Sequence, residues 1–357
     1  MIDVLELTLP DDAADPLWSA YARMSVESSR EAVGPSGTPI TPVEMLVQSQ
    51  QAEQKRGIRI MRWLARAEGK AVGFARLRID SSDNRTGGTV LVHVDAEHRG
   101  RGISRVLAQT IREAVPATMD HLGAEVMTPV PQGEVLEAAS GGAVAADHPG
   151  VRLALCNGFE LAQVMWFQRL EFSVPAQRWV AAETKARQLA GPEYEVLTFE
   201  GVPPEELRAG VAVLKQRMST DAPHGAVILS EARWDAERVV RHYEALGATQ
   251  RVFVALVVHR ASGQVVALND LAGTRGRPDV PLHQRDTLVL PAHRGRRLGL
   301  LVKAANLMAV RVAVPQAPSV LTFNAYENQH MLAINDELGF ERRGTLGLFQ
   351  LSRKRGK

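Results

Sequence analysis

The chain has 357 residues, 45% hydrophobic and 23% charged, enough for two ordinary domains and inconsistent with a disordered or fibrous protein. Its 42 Lys and Arg against 40 Asp and Glu leave a formal net charge of +2, so nothing in the total charge argues for a nucleic-acid partner. The single cysteine, Cys156, excludes an intrachain disulfide and a cysteine-rich metal site and suits a reducing interior.

The opening stretch "MIDVLELTLPDDAADPLW" carries acidic residues where a secretory signal carries basic ones. No uninterrupted apolar run approaches the roughly 18 residues of a membrane span. The expectation is a soluble cytoplasmic protein without a membrane partner.

Along the first half, alternation predicts a strand over Val4 to Leu9 and helices around 12 to 27 and 41 to 55. Strands follow near 59 to 67, 70 to 78 and 88 to 95, then a helix from about 101 to 115 and a strand near 122 to 128. The stretch "CNGFELAQVMWFQRLEFSVP" reads as a turn with one or two strands. The polar, alanine-rich "AQRWVAAETKARQLAGPEYE" is expected to connect two domains, 1–178 and 190–357.

The second half repeats the order. A strand at "YEVLTFE" precedes helices around 203 to 218 and 231 to 246. Strands near 251 to 259, 264 to 270 and 285 to 290 lead to a helix near 297 to 311, a strand near 319 to 324, a helix near 328 to 338 and a last strand near 345 to 351. Arg99 to Arg294 and Phe159 to Phe340 are unequal intervals, so the repeat is uneven.

In both halves a strand enters a basic, glycine-bearing turn and then a helix. Ile103, Val106, Leu107, Thr110 and Ile111 form one apolar stripe, and Leu298, Leu301, Val302, Ala305 and Met308 form the other. These stripes are core. The turns "RGRGIS" and "RGRRLG" place backbone amides and arginines at a helix N-terminus, an arrangement suited to phosphate oxygens. A solvated turn explains each alone; repetition in one context favours a pyrophosphate ligand.

"EHRGRGIS" and "AHRGRRLG" resemble the acyl-CoA-binding motif Arg/Gln-x-x-Gly-x-Gly/Ala of the GNAT superfamily of N-acetyltransferases, and "TFNAYENQHMLAINDELGF" resembles its final strand, helix and turn. The resemblance implies a mixed α/β chain of two tandem GNAT folds, each a mostly antiparallel sheet flanked by helices. The tandem arrangement resembles that of mycothiol synthase and related actinobacterial-type acetyltransferases. It further implies acetyl-CoA as cofactor and a small-molecule amine as acceptor.

By the same resemblance, Arg99, Gly100, Arg101, Gly102, Ile103 and Ser104 would surround one CoA pyrophosphate. Arg294, Gly295, Arg296, Arg297, Leu298 and Gly299 would surround the other. Ser104 departs from the motif's final Gly/Ala but is small and retains an amide, and Arg297 stands at its first glycine. The main-chain groups of Val92 and Val94, and of Val289 and Leu290, are expected to serve the pantetheine and thioester.

Acetyl transfer needs a neutral amine, oxyanion stabilisation and a proton for the leaving thiolate. Many family members use a tyrosine four residues before the terminal Gly-Phe as that acid; Asn335 and Ala154 stand there. Asn335 falls on an otherwise apolar helix face and needs a partner in the scaffold or a ligand. Tyr326 is the nearby substitute acid, and Asp286 the first choice for general base, ahead of Asp270 and Glu327. Asn324 ends a strand, and Asn328 either caps the next helix or contacts the cofactor. The first half offers His93 and Glu97 but replaces the asparagine-rich segment with a long Pro-, Gly- and Ala-containing tract, read as a lid, an interface or an irregular loop. Catalysis is therefore expected in the second half. Loops 129 to 150 and 271 to 285 are expected to shape a cleft, and Cys156 to be a small residue near a core.

Overall fold

The computed structural model describes residues 2–12, 14–33, 43, 46–47, 50–51, 54, 58–80, 87–221, 225–227 and 233–352. Most of the helix expected around 41 to 55 lies outside these residues. The chain forms two compact units: unit 1 comprises Met1–Met165, Gly225–Val227 and Gly344–Lys357, and unit 2 comprises Trp166–His224 and Ile228–Arg343.

The sheet of unit 1 runs in the order β1 (Ile2–Glu6), β2 (Ile58–Ala67), β3 (Lys70–Asp80), β4 (Gly87–Val94), β5 (His121–Thr128) and β14 (Glu341–Ser352). Neighbours are antiparallel except β4 and β5, whose crossover through α2 (Ile103–Ala114) makes them parallel. Helix α1 (Pro16–Val33) covers one face, packing Trp18, Tyr21 and Met24 on Leu64 and Phe74. On the other face Ile103, Leu107 and Ile111 of α2 meet Ala75 and Leu77. The long tract after β5 is not an irregular loop. It forms the hairpin of β6 (Val135–Glu137) and β7 (Ala143–Ala145) and then α3 (Pro149–Cys156), burying Val144, Val151 and Ala154 in the same core. Cys156, expected near a core, is exposed at the end of α3.

The last strand of the chain belongs to the first sheet: Thr345–Ser352 of β14 pair with His121–Thr128 of β5, and Thr128 and Thr345 share a buried hydroxyl contact of 2.8 Å. Conversely β8 (Glu160–Glu171) is one unbroken strand whose residues from Trp166 onward belong to unit 2. Its alternation is masked by apolar residues on both faces, as a strand buried on both sides requires.

Unit 2 orders β8, β13 (Ser319–Ala325), β12 (Leu282–Val289), β11 (Gln264–Thr274), β10 (Gln250–His259) and β9 (Tyr194–Glu200). Helices α5 (Glu205–Asp221) and α6 (Ala236–Gly247) take one face; α7 (Leu298–Ala313) takes the other. The segment expected as a connection is instead helix α4 (Gln177–Ala190), a working part of unit 2. It buries Trp179, Ala182, Ala186 and Ala190 and packs on α7, its small residues permitting close approach. Its N-terminal end also ties down α8 (Gln329–Leu338). Arg178 donates to the Glu337 and Asp336 carbonyls at 2.8 and 2.7 Å, and Trp179 to the Leu338 carbonyl at 3.1 Å, satisfying groups that a helix end leaves open.

Candidate active site

The two basic turns share one backbone. In unit 1 Gly100 and Gly102 are left-handed, with φ of 78° and 81°. In unit 2 Gly295 and Arg297 take the same places, with φ of 80° and 60°. Arg297 thus adopts the conformation of the glycine it replaces, at a cost of about 1–2 kcal/mol, and its guanidinium is held by Glu337 of α8. In each turn the first arginine folds back on its own strand: Arg99 Nε donates to the Val94 carbonyl at 3.0 Å and Arg294 Nε to the Val289 carbonyl at 3.1 Å. Each also meets a carboxylate in the last turn of a helix, Glu31 of α1 at 2.5 Å and Asp221 of α5 at 3.5 Å. Arg296 reaches Glu193 at 3.2 Å and lies over Tyr194, while Arg101 is exposed.

Neither α2 nor α7 has a side-chain cap, in contrast to α3, α6 and α8, which are capped by His148, Asp235 and Asn328. Their first amides therefore have no capping side chain, as an anion-binding helix start requires. Ile103 and Leu298 anchor the two starts in the core; Ser104 is half-buried. Gly299 faces the scaffold, because a Cβ there would lie 3.1 Å from Ile334 Cδ1.

The strands that feed these turns diverge from their parallel neighbours. The β4–β5 ladder covers only Gly87 to Val90, so Val92 and Val94 lie beyond it. The β12–β13 ladder covers only Leu282 and His283, and the gap opens six residues before Val289. Some main-chain groups expected to serve a ligand are engaged already: the Val94 and Val289 carbonyls bind the arginines, and Leu290 N–H donates to the Val266 carbonyl at 2.9 Å.

Unit 2 alone adds a bulge beside its gap. Asn269 pairs with Thr287 and Leu271 with Gln284, which sets Asp270 of β11 against Arg285 and Asp286 of β12. The β3–β4 ladder of unit 1 runs from Gly73 to Ile79 without such a shift. A bulge re-aims side chains, and here Asp286 and Asp270 both reach Lys215 of α5. Asp286 Oδ2 lies 2.6 Å from Lys215 Nζ, Asp270 is in tighter contact with the same ammonium, and Tyr243 of α6 donates to Asp270 at 2.9 Å. Lys215 and Asp270 have side chains 1% exposed, whereas that of Asp286 is 34% exposed.

Burial would lower Lys215, but the two carboxylates raise it well above its ordinary range. Burial raises Asp270 despite Lys215. For Asp286 the Lys215 ammonium outweighs burial and holds the carboxyl below its usual range. That suits a standing negative charge better than proton abstraction. Two carboxylates share one ammonium, and the outer one faces solvent.

A second buried network lies on the α7 face. Lys303 and Asn335 are wholly buried; Lys303 Nζ bonds Asn335 Oδ1, and Asn335 Nδ2 donates to Gln168 Oε1 at 2.8 Å. Asn324 Nδ2 approaches the same Gln168 oxygen at 3.4 Å. Both amide atoms of Asn335 are thus engaged in the scaffold. Burial without a carboxylate partner pushes Lys303 down to about 7. Asn328 accepts from Met331 N–H at 3.2 Å and is the cap of α8. Tyr326 is 37% exposed in the turn after β13 and lies beside Trp166, with ring centroids 6.1 Å apart. Asp286, Asn335 and Tyr326 therefore sit in three separate sets of contacts. Lys215, Tyr243 and Lys303 were missed in the sequence; Lys303 was legible as a charge inside the apolar run "LGLLVKAANLMAV".

In unit 1 His93 is buried, with Nε2 3.4 Å from Asp95 Oδ1, and burial lowers its basicity against the pull of Glu31 and Asp95. Glu97 is exposed in a single 3-10 turn, Ala96–His98. Loop 271 to 285 is largely strand, since β11 runs to Thr274 and β12 begins at Leu282.

This is the GNAT fold, present twice. Residues 31–129 match the family described as Acetyltransferase (GNAT) family. A tandem GNAT protein from the clavulanic acid biosynthesis pathway, solved without AcCoA, matches with TM-score 0.74 and 22% identity over 100% of both chains. A GCN5-related N-acetyltransferase from Sphaerobacter thermophilus matches with TM-score 0.59 and 16% identity, covering 98% of this chain and 95% of that one. A putative acetyltransferase from Pyrococcus horikoshii matches with TM-score 0.53 and 11% identity over 100% and 91%. No curated protein matches the chain. Among the described residues no helix is long and apolar enough to cross a membrane.

Proposed function

We propose that the chain transfers the acetyl group of acetyl-CoA to a primary amine of a small molecule, by direct attack, in unit 2. The observation that carries this reading is the conjunction, in one unit, of a diverging strand pair, an uncapped helix start and a bulge that presents Asp286 beside the gap. The turn residues Arg294, Gly295, Arg296 and Arg297 with the first amides of α7 fit a pyrophosphate, and those of Arg99 to Ser104 fit a second one. When bound, acetyl-CoA supplies the activated acetyl thioester.

The chain's own groups then do the following. The exposed edge of Asp286 attracts the ammonium form of the acceptor and orients it. Asp286 is a poor proton acceptor, so the ammonium loses its proton to water, with the carboxylate holding the amine in place. Lys215 and Tyr243 fix the carboxylates. Tyr326, half-exposed at the end of β13, is the group available to return a proton to the leaving thiolate. The resemblance to mycothiol synthase makes an aminosugar conjugate one acceptor to try, and the chain is taken to act in the cytoplasm.

Turnover is measured as CoA released from acetyl-CoA across a panel of primary amines, resolved chromatographically because exposed Cys156 would react with thiol reagents. Turnover that falls in Asp286→Asn supports the reading. Calorimetric binding of acetyl-CoA without turnover on any amine would favour an acyl-CoA-binding module. Gly295→Asp is the better disruption of the second turn, because at Gly299 a new side chain would strike Ile334.

A further inference from the structure

The bulge of unit 2 re-aims two side chains of β12, not one. Asn269 pairs with Thr287 and Leu271 with Gln284, so Arg285 and Asp286 together stand opposite the single Asp270 of β11. Gln284 and Thr287 share a side of the sheet, since Gln284 Nε2 donates to Thr287 Oγ1 at 3.3 Å. That side is the one covered by α7: Asn269 Nδ2 donates to Thr287 Oγ1 at 2.8 Å, and Asn306 of α7 donates to Asn269 Oδ1 at 2.8 Å. Successive strand residues alternate between faces. Arg285 is therefore turned away from the side of Gln284, and Asp286 from that of Thr287. Both fall on the α5 face, where Asp286 meets Lys215. An unbroken strand would have sent them to opposite faces.

The pair lies beside the gap, because the ladder between β12 and β13 ends at His283. Arg285 is exposed and has no hydrogen-bond or ionic partner among the described residues. Against the effect of burial, Lys215 and behind it Arg285 hold the Asp286 carboxyl below its usual range, so the guanidinium acts on the carboxylate without pairing to it. Consecutive Cα atoms are about 3.8 Å apart. One free cation and the open edge of one anion are thus offered from adjacent positions on one face. In unit 1 the corresponding places, counted back from Val94 as these are from Val289, hold Val90 and Leu91, in a ladder without a shift.

We propose that the acceptor of unit 2 is a free α-amino acid, its ammonium held by Asp286 and its carboxylate by Arg285. This rests on the reading that unit 2 acetylates an amine, and it names the class of amine. A guanidinium fork matches the two oxygens of a carboxylate. A ligand bearing both charges satisfies both side chains, whereas a simple cation meets Asp286 but is repelled by Arg285. In the transfer the ammonium first loses one proton to water. Its nitrogen then forms a bond to the acetyl carbon as the carbon–sulfur bond breaks, and the second proton it sheds balances the one taken up by the thiolate. The product has lost its positive charge, so it keeps only the Arg285 contact.

The test uses the full chain and the standard amino acids, each against its own amide, which keeps the ammonium and lacks the carboxylate charge. Binding is read by calorimetry, alone and with CoA present, and CoA release from acetyl-CoA is read separately. At least one amino acid is expected to bind about tenfold or more tightly than its amide, and more tightly than its own N-acetyl derivative. Arg285→Gln is expected to abolish the preference and Arg285→Glu to invert it; Arg285 is exposed, so both variants should fold as wild type does. Binding that follows this pattern without CoA release would support amino-acid recognition and remove the acetyl-transfer reading. Amides acetylated as fast as amino acids, with rates unchanged in Arg285→Gln, would keep acetyl transfer and overturn the proposal. It is equally overturned if no amino acid binds, or if the preference survives Arg285→Gln and is lost in Gly295→Asp, which would place the carboxylate at the basic turn.

Discussion

The helices that follow the two basic turns start from the same geometry and end in different surroundings. In α2 only Ile103, Leu107 and Ile111 are buried, and Val106 is 36% exposed. In α7 every residue from Leu298 to Leu307 is buried, Lys303 and Asn306 included. The cause is α4, which covers the outer side of α7. One helix has a core face and a solvent face; the other is packed on all sides. An enclosed helix can hold polar groups at fixed positions where water would otherwise compete for them, and unit 2 carries buried polar networks on both sheet faces.

The largest effect is expected where that enclosure is deepest. Leu301→Ala should destabilise unit 2 by about 2–5 kcal/mol, since a fully buried leucine leaves a cavity that a helix packed on two sides cannot collapse into. Urea unfolding measures it. A loss below about 1 kcal/mol would mean that α4 does not stay on α7.

Next is the acidic cluster. Asp286→Asn removes the solvent-facing charge but leaves Asp270 to pair with Lys215. The expectation for a cationic amine is a rise in KM of about 10–100-fold, or roughly 1.4–2.8 kcal/mol, with a smaller change in kcat. The same cluster sets a pH dependence. The Asp286 carboxyl is held below its unfolded value, so its stabilising contribution is present above the unfolded pKa and lost as pH falls through the folded one. An equal fall in kcat with KM unchanged would point to proton transfer and against anchoring.

Lys303 runs the other way. Its folded value, about 7, lies below the ordinary 10.5, so the unfolded chain binds more protons between those limits and wild-type stability should rise with pH across them. Lys303→Met should remove that slope and, at pH 6, be neutral or more stable by about 1–4 kcal/mol. Denaturant melts at several pH values decide this; an unchanged slope would locate the titration elsewhere.

Much of the architecture was legible because strand and helix periods, glycine turns and the repeat all agree in this sequence. The basic turns were readable as the join of a strand to a helix, but their left-handed positions were not, and Arg297 takes that backbone although it is not a glycine. Two kinds of feature were hidden. The helical character of "QRWVAAETKARQLA" looked like a linker because its buried side is mostly alanine, which carries little hydropathy signal but allows close packing. Lys215, Asp270, Asp286 and Tyr243 lie on four elements and meet only through a bulge, a register shift that no local pattern announces. The pairing of β14 with β5 was invisible for the same reason: partners far apart in sequence leave each strand's own composition unchanged.

The smallest effect is the sharpest control on the comparison. Val106 occupies in α2 the place that Leu301 holds in α7, each seven residues after the arginine that folds back on its strand. The sequence assigned both to core stripes, yet at 36% exposure Val106 faces water. Val106→Ala should therefore cost no more than about 0.5 kcal/mol, because little apolar area is lost and alanine is the better helix former. A cost near that of Leu301→Ala would require something to cover α2 in solution as α4 covers α7, and that face of unit 1 would then be an interface.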